Sequence, residues 1–280
     1  MFLFYSGYGL AISVFSKKQY LKKMLFVRIP HIVFTYLVVN GIYYVIRRLT
    51  GTLHKTSIAG YLLGGQALVT YSWYIICLLY LYVLFLISFF VFKKNKRTAY
   101  CCLTLGVLAW IGSMWVAGGG IHRYNAVAAF LFGCAIAESK SLQEWFSLKY
   151  RTVFSFITFI ITFVAATFCW ATDRSLFLTW FFMATAGLSF TVIVVTLPVC
   201  RWNCNRFFGF LGSISLEFYL CQGALMLLTR GGLIYVQNDI LFCVLVFVGT
   251  LALALAVHYS NLWLLARWKN YLKSFQIQEV

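Results

Sequence analysis

Trp73-Tyr74-Ile75-Ile76-Cys77-Leu78-Leu79-Tyr80-Leu81-Tyr82-Val83-Leu84-Phe85-Leu86-Ile87-Ser88-Phe89-Phe90-Val91-Phe92 contains no charged residue and stops at Lys93-Lys94. About 20 apolar residues wound as an α-helix span the hydrocarbon core of a bilayer. Further apolar runs lie at roughly 2–15, 30–46, 99–117, 124–137, 152–171, 176–199, 207–228 and 238–266, of which 2–15 and 124–137 are short for a span. The whole chain follows the same rule: 62% of its 280 residues are hydrophobic and only 10% are charged. A soluble domain carries roughly a quarter charged residues. So apolar a chain cannot shield its surface from water, and its solvent is lipid. The expected architecture is all-α: a polytopic membrane helical bundle of about nine transmembrane helices, forming a single integral-membrane domain over residues 1–280.

Charge sets the expected orientation. A net charge of +17 would point to nucleic acid in a soluble protein. Here the cations fall between apolar runs, which suits anionic lipid headgroups and argues against a nucleic-acid partner. Alternate connections carry Lys17, Lys18, Lys22, Lys23 and Arg28, then Lys93, Lys94, Lys96 and Arg97, then Lys140, Lys149 and Arg151. Arg201 and Arg206 come next, and last Arg267, Lys269 and Lys273. The other side holds Arg47, Arg48, Lys55, Arg123, Arg174 and Arg230. This bias puts the first set and the C-terminus in the cytoplasm of a multi-pass protein of the cell membrane. Met1 then falls outside, so one further helix is expected ahead of it. The glycine-rich segment 57–70 reads as re-entrant or interfacial. The nine cysteines, scattered through apolar runs, read as reduced thiols. Cys200 and Cys204 share a short loop, and without a second pair they make a poor zinc site.

Charges inside a bilayer need a reason. Glu217 lies within the run 207–228, in Leu211-Gly212-Ser213-Ile214-Ser215-Leu216-Glu217-Phe218-Tyr219-Leu220. Ser213, Glu217 and, less closely, Gln222 recur near helical spacing. This is either a polar stripe facing a cavity or an interhelical hydrogen-bond network. Arg28-Ile29-Pro30-His31 marks a second cluster, where a basic segment enters a span. Pro30 suits a first helical turn, and Arg28 suits an anionic group or a lipid headgroup. His258 reads as a structural hydrogen-bonding residue and His54 as a loop residue. His122 stands beside Arg123 after Gly118-Gly119-Gly120. No HExxH, GxSxG or Walker-type spacing occurs.

Phe2-Leu3-Phe4-Tyr5-Ser6-Gly7-Tyr8-Gly9-Leu10, Tyr20-Leu21-Lys22-Lys23 with Arg28-Ile29-Pro30, Ser72-Trp73-Tyr74-Ile75, Arg123 with Phe132-Gly133, and Leu211–Leu220 run in an order that resembles the acyltransferase 3 family of multi-spanning membrane acyltransferases. The resemblance covers nearly the whole chain. It implies transfer of an acyl group, usually acetyl from cytoplasmic acetyl-CoA, to a hydroxyl of a glycan or lipid-linked glycan, as in the O-acetylation of polysaccharides. No bound cofactor is implied; the acyl-CoA is a substrate. Family members have ten helices, the first carrying a histidine implicated in catalysis, so this chain is expected to be ten minus one. Gln222 stands where the Tyr-Leu helix often has histidine, and Leu25 where the earlier arginine of an Arg-x-x-Arg pair belongs.

The catalytic base is therefore unassigned, with His31 as a weak candidate. Arg28, Trp73, Tyr74, Arg123, Glu217 and Gln222 are the expected substrate- or CoA-binding residues. No metal is expected. A transporter or flippase, with Glu217 and Arg123 on its path, is the alternative, as is a non-catalytic partner of other membrane proteins.

Overall fold

The computed structural model describes residues 2–53, 68–69, 71–93, 95–118, 124, 126–139, 149–172, 176–196, 206–231 and 234–274. Every regular element among them is helical. The elements are α1 (Phe2–Ser16), α2 (Tyr20–Lys23), a π turn (Met24–Arg28), α3 (Ile29–Leu49), α4 (Ser72–Val91), α5 (Lys96–Val116) and α6 (Ala128–Glu138). Then come α7 (Lys149–Ala171), α8 (Leu176–Thr196), α9 (Arg206–Ser213), α10 (Ser215–Arg230) and α11 (Asp239–Ser274).

Five helices among the described residues are long and apolar enough to cross a bilayer: Tyr20–Leu49, Ser72–Val91, Lys96–Val116, Thr152–Ala171 and Asp239–Ser274. That falls short of the nine expected. Phe2–Ser16, Ala128–Glu138 and Phe181–Phe190 are apolar but shorter. The run 207–228, read as one span, is cut at Ile214 into helices of 8 and 16 residues. Serines flank the cut. Ser213 Oγ donates to the Phe210 carbonyl at 2.7 Å and Ser215 Oγ to the Gly212 carbonyl at 2.8 Å. Such side-chain bonds to the preceding turn slightly destabilise a helix and often bend it. The span expected from residue 30 instead begins at Tyr20, because the π turn carries the helix past Pro30. At 36 residues, α11 is about 54 Å long, well beyond the ~30 Å core.

The chain forms two compact units. The first comprises Met1–Leu21 and Tyr80–Cys204. Within it α1 lies against α6 with the backbones nearly touching. A Cβ on Gly7 would stand 2.1 Å from the Phe130 carbonyl oxygen, and one on Gly133 would stand 2.1 Å from that of Phe4. Only glycine permits this approach. Phe4 packs on Phe132 at 5.9 Å, and the Cys134 thiol reaches the Gly7 carbonyl at 3.4 Å. In the same unit Tyr80 Oη donates to the Gly106 carbonyl at 2.9 Å, and Phe159 of α7 meets Phe190 of α8 at 5.6 Å. Asn95 caps α5 by accepting from the Arg97 and Thr98 amides.

The second unit comprises Lys22–Leu79 and Asn205–Val280, and its centre is α3, α10 and α11. Tyr43 of α3 is fully buried and donates to the Leu220 carbonyl of α10 at 3.1 Å. Arg47 Nε donates to the Leu68 carbonyl at 3.0 Å. Asn238 caps α11 through the Ile240 and Leu241 amides. Arg230 pairs with Asp239 and lies 4.0 Å over the Phe242 ring, closing the connection between α10 and α11.

Candidate functional site

The three central helices of the second unit bring a glutamate and two histidines together. Glu217 is completely buried. Its Oε1 lies 3.3 Å from His258 Nδ1 of α11 and 3.9 Å from His31 Nε2 of α3. The first distance is a hydrogen bond; the second is an ion-pair distance beyond hydrogen-bond range. Side-chain exposure is 28% for His31 and 14% for His258, so both imidazoles are more exposed than the carboxylate between them. Glu217 Oε2 is buried with no hydrogen-bond partner among the described residues.

Local structure explains how a buried carboxylate is tolerated. The break at Ile214 makes Glu217 the third residue of a new helix, inside its first turn. There the positive end of the helix dipole favours a negative charge. An uninterrupted helix over 207–228 would bury the same carboxylate mid-span without that help. Two imidazoles then supply the donor on one side and the option of positive charge on both.

His31 is held from behind. Its backbone carbonyl accepts from Thr35 Oγ1 at 2.9 Å and from Asn261 Nδ2 at 3.3 Å. Asn261 Nδ2 also donates to Thr35 Oγ1, and both side chains are buried. His258 and Asn261 are three residues apart on α11 and so share a face. Arg28, three residues before His31, ends the π turn beside the same helix.

Of the residues expected from sequence, Glu217 and His31 meet, with Arg28 one turn away. Trp73 and Tyr74 do not join them. They form an aromatic group in which Tyr74 meets Tyr219 edge-on at 5.1 Å and Trp73 at 6.0 Å. Tyr219 points about 200° around α10 from Glu217. Gln222 is half-buried and about 140° around from Glu217. Arg123, His122, His54, Cys200, Cys204 and residues 57–67 and 70 lie outside the described residues. His258 and Asn261 were missed as site residues. The signal was there, since they form a polar pair at helical spacing in an otherwise apolar run. Among the described residues no group of three or more His, Cys, Asp or Glu could hold a metal ion.

Chemically, the arrangement suits proton transfer. With Glu217 ionised, the bond to His258 requires the Nδ1–H tautomer and leaves Nε2 with a free lone pair. A carboxylate that fixes a tautomer and stabilises the resulting imidazolium is the orienting element of hydrolase triads.

The family model for an acyltransferase domain, that of the acyltransferase 3 family, matches residues 1–259. Comparison with curated proteins and with solved structures gave no match.

Proposed function

Because this chain belongs to the acyltransferase 3 family, we propose that its second unit transfers an acyl group from an acyl-CoA to a hydroxyl, with His258 as general base. The observation that carries the reading is the 3.3 Å contact between His258 Nδ1 and the buried Glu217 carboxylate. His258 Nε2 removes the proton of the acceptor hydroxyl as its oxygen attacks the thioester carbonyl. A tetrahedral oxyanion forms and collapses, the carbon–sulfur bond breaks, and the imidazolium returns the proton to the departing CoA thiolate. General-base help of this kind is worth about 10²–10⁴ in rate. His31 supplies positive charge to the same carboxylate when protonated. Arg28 holds CoA phosphates through its planar fork.

The donor in this reading is acetyl-CoA from the cytoplasm, consistent with the basic segments that precede α3 and end α11. The acceptor is a glycan or lipid-linked glycan, and membrane lipid surrounds the helices of this plasma-membrane protein. Trp73, Tyr74 and Gln222 are acceptor-side candidates apart from the histidine cluster, and Arg123 is a further substrate-binding candidate.

Membranes containing the chain, given acetyl-labelled acetyl-CoA, are expected to pass label to an extractable acceptor, and His258→Asn is expected to abolish the transfer. Equal label transfer by His258→Asn and the unsubstituted protein would overturn the assignment of the base. Absence of transfer by the unsubstituted protein, with no protection of its cysteines or lysines by CoA, would overturn the acyltransferase reading itself.

A further inference from the structure

The helix that carries Arg28 and His31 has a defect, and α11 fills it. Pro30 has no N–H, so the Phe26 carbonyl, four residues earlier, loses the donor that an α-helix would give it. The turn around it is a π turn, with the Ile29 amide bonded to the Met24 carbonyl. Trp268 of α11 supplies the substitute: its indole Nε1 donates to the Phe26 carbonyl at 2.9 Å. The indole is itself fixed, edge-on to Phe34 at 6.2 Å and stacked on Tyr271 at 5.9 Å. Trp268 continues the face of α11 that holds His258, Asn261 and the buried Leu265, spaced at i, i+3, i+7 and i+10. One helix face therefore grips the start of α3 at the Phe26 carbonyl, at the His31 carbonyl and, through Glu217, at the His31 ring.

We propose that Trp268 is a positioning residue: by hydrogen-bonding the carbonyl that Pro30 leaves without a donor, it holds the π turn that sets Arg28 and His31 relative to Glu217. A π turn takes up an extra residue, so its reversion to α geometry would shift the residues of the turn, Arg28 among them, around the axis of α3 by up to about 100°. Trp268 thereby acts on acyl-CoA binding through Arg28 and on turnover through His31, without touching either substrate. The proposal rests on the acyl-transfer reading above.

The test compares Trp268→Phe with the unsubstituted full chain in lipid nanodiscs; phenylalanine keeps an aromatic ring against Phe34 and Tyr271 and removes the N–H. Hydrogen exchange of peptides covering residues 24–35 is expected to quicken about tenfold, the worth of one such hydrogen bond, with peptides from α7 unchanged. In acetyl transfer, KM for acetyl-CoA is expected to rise and kcat to fall, each severalfold. A merely structural role would lower the active fraction, and so the apparent kcat, while leaving KM unmoved. In a Pro30→Ala background, where residue 30 again offers an N–H to Phe26, adding Trp268→Phe is expected to change exchange and KM little. Unchanged exchange, or a KM that does not move, overturns the role of Trp268 while acyl transfer stands. Quickened exchange in a chain that transfers no acetyl from acetyl-CoA overturns the acyl-transfer reading instead, and the positioning role with it.

Discussion

Replacing Glu217 with glutamine tests the site most directly, because the change keeps the shape and removes the charge. In the transition state His258 becomes an imidazolium 3.3 Å from Glu217 Oε1. At an effective dielectric of about 20, two unit charges at that distance attract by about 5 kcal/mol. Glutamine retains a neutral hydrogen bond worth about 1 kcal/mol, and solvent reaching the partly exposed imidazole screens some of the remainder. Roughly 3 kcal/mol is left, on the order of a hundredfold in kcat. Glutamine also offers an amide N–H that selects the unproductive tautomer of His258, which acts in the same direction. KM for acetyl-CoA is expected to stay within twofold, since Glu217 does not reach the CoA phosphates in this scheme. Stability is expected to hold or rise, because a neutral buried side chain avoids the desolvation that a buried ion carries. The assay is initial-rate transfer of labelled acetyl in nanodiscs, with thermal unfolding measured on the same preparation. A kcat within threefold of the unsubstituted protein refutes the orienting role of Glu217. So does a loss of rate that merely tracks a loss of folded protein.

Gly7→Ala and Gly133→Ala are each expected to destabilise the first unit by about 1–3 kcal/mol or more, read as thermal unfolding in detergent, since the new Cβ meets backbone carbonyl oxygen at 2.1 Å. Gly106→Ala is expected to cost less in the same assay, because the nearest atoms its Cβ meets belong to the Leu84 side chain rather than to backbone. Tyr43→Phe is expected to cost about 1 kcal/mol by removing its bond to the Leu220 carbonyl, lowering the unfolding temperature without touching the histidine cluster. Asn261→Ala is expected to be equally mild in stability, because Thr35 Oγ1 continues to serve the His31 carbonyl.

The helical character of the molecule was legible in the sequence because lipid demands it: a chain with 62% hydrophobic residues has few other ways to satisfy its backbone. Helices α4, α5 and α7 match the apolar runs closely for the same reason. Two family-like motifs also found a physical meaning. Ser6-Gly7-Tyr8 and Phe132-Gly133, far apart in sequence, are the two sides of the close α1–α6 contact in the first unit. What hydropathy could not convey was interruption. A sliding apolar average passes over Ile214 and over Pro30 alike, since neither serine back-bonding nor a π turn changes apolarity. Glu217 stood out because a carboxylate in an apolar run is rare. His258 did not, because a single histidine there is usually a satisfied hydrogen-bond donor, and only the pairing across three helices shows what it faces.

The irregularities of the second unit are gathered where the chemistry is assigned. The π turn at Met24–Arg28 and Pro30 precede His31 by a few residues, and the break at Ile214 precedes Glu217 by three. Each interrupts the regular backbone pattern, and a side chain of the unit bonds a carbonyl beside each: Trp268 at Phe26, and Ser215 at Gly212. A packing function alone would be served as well by unbroken helices, which need no such bonds. The breaks do something unbroken helices cannot, since one gives Glu217 a helix N-terminus and the other fixes the angle between Arg28 and His31. The α11 helix, by contrast, is regular through its 36 residues. It therefore serves as the rigid rail on which His258, Asn261 and Trp268 are spaced. Rigid support on one helix and tuned defects on two others is how a bundle holds a charged site in lipid, and it makes the face of α11 the part of the site least tolerant of a shift in register.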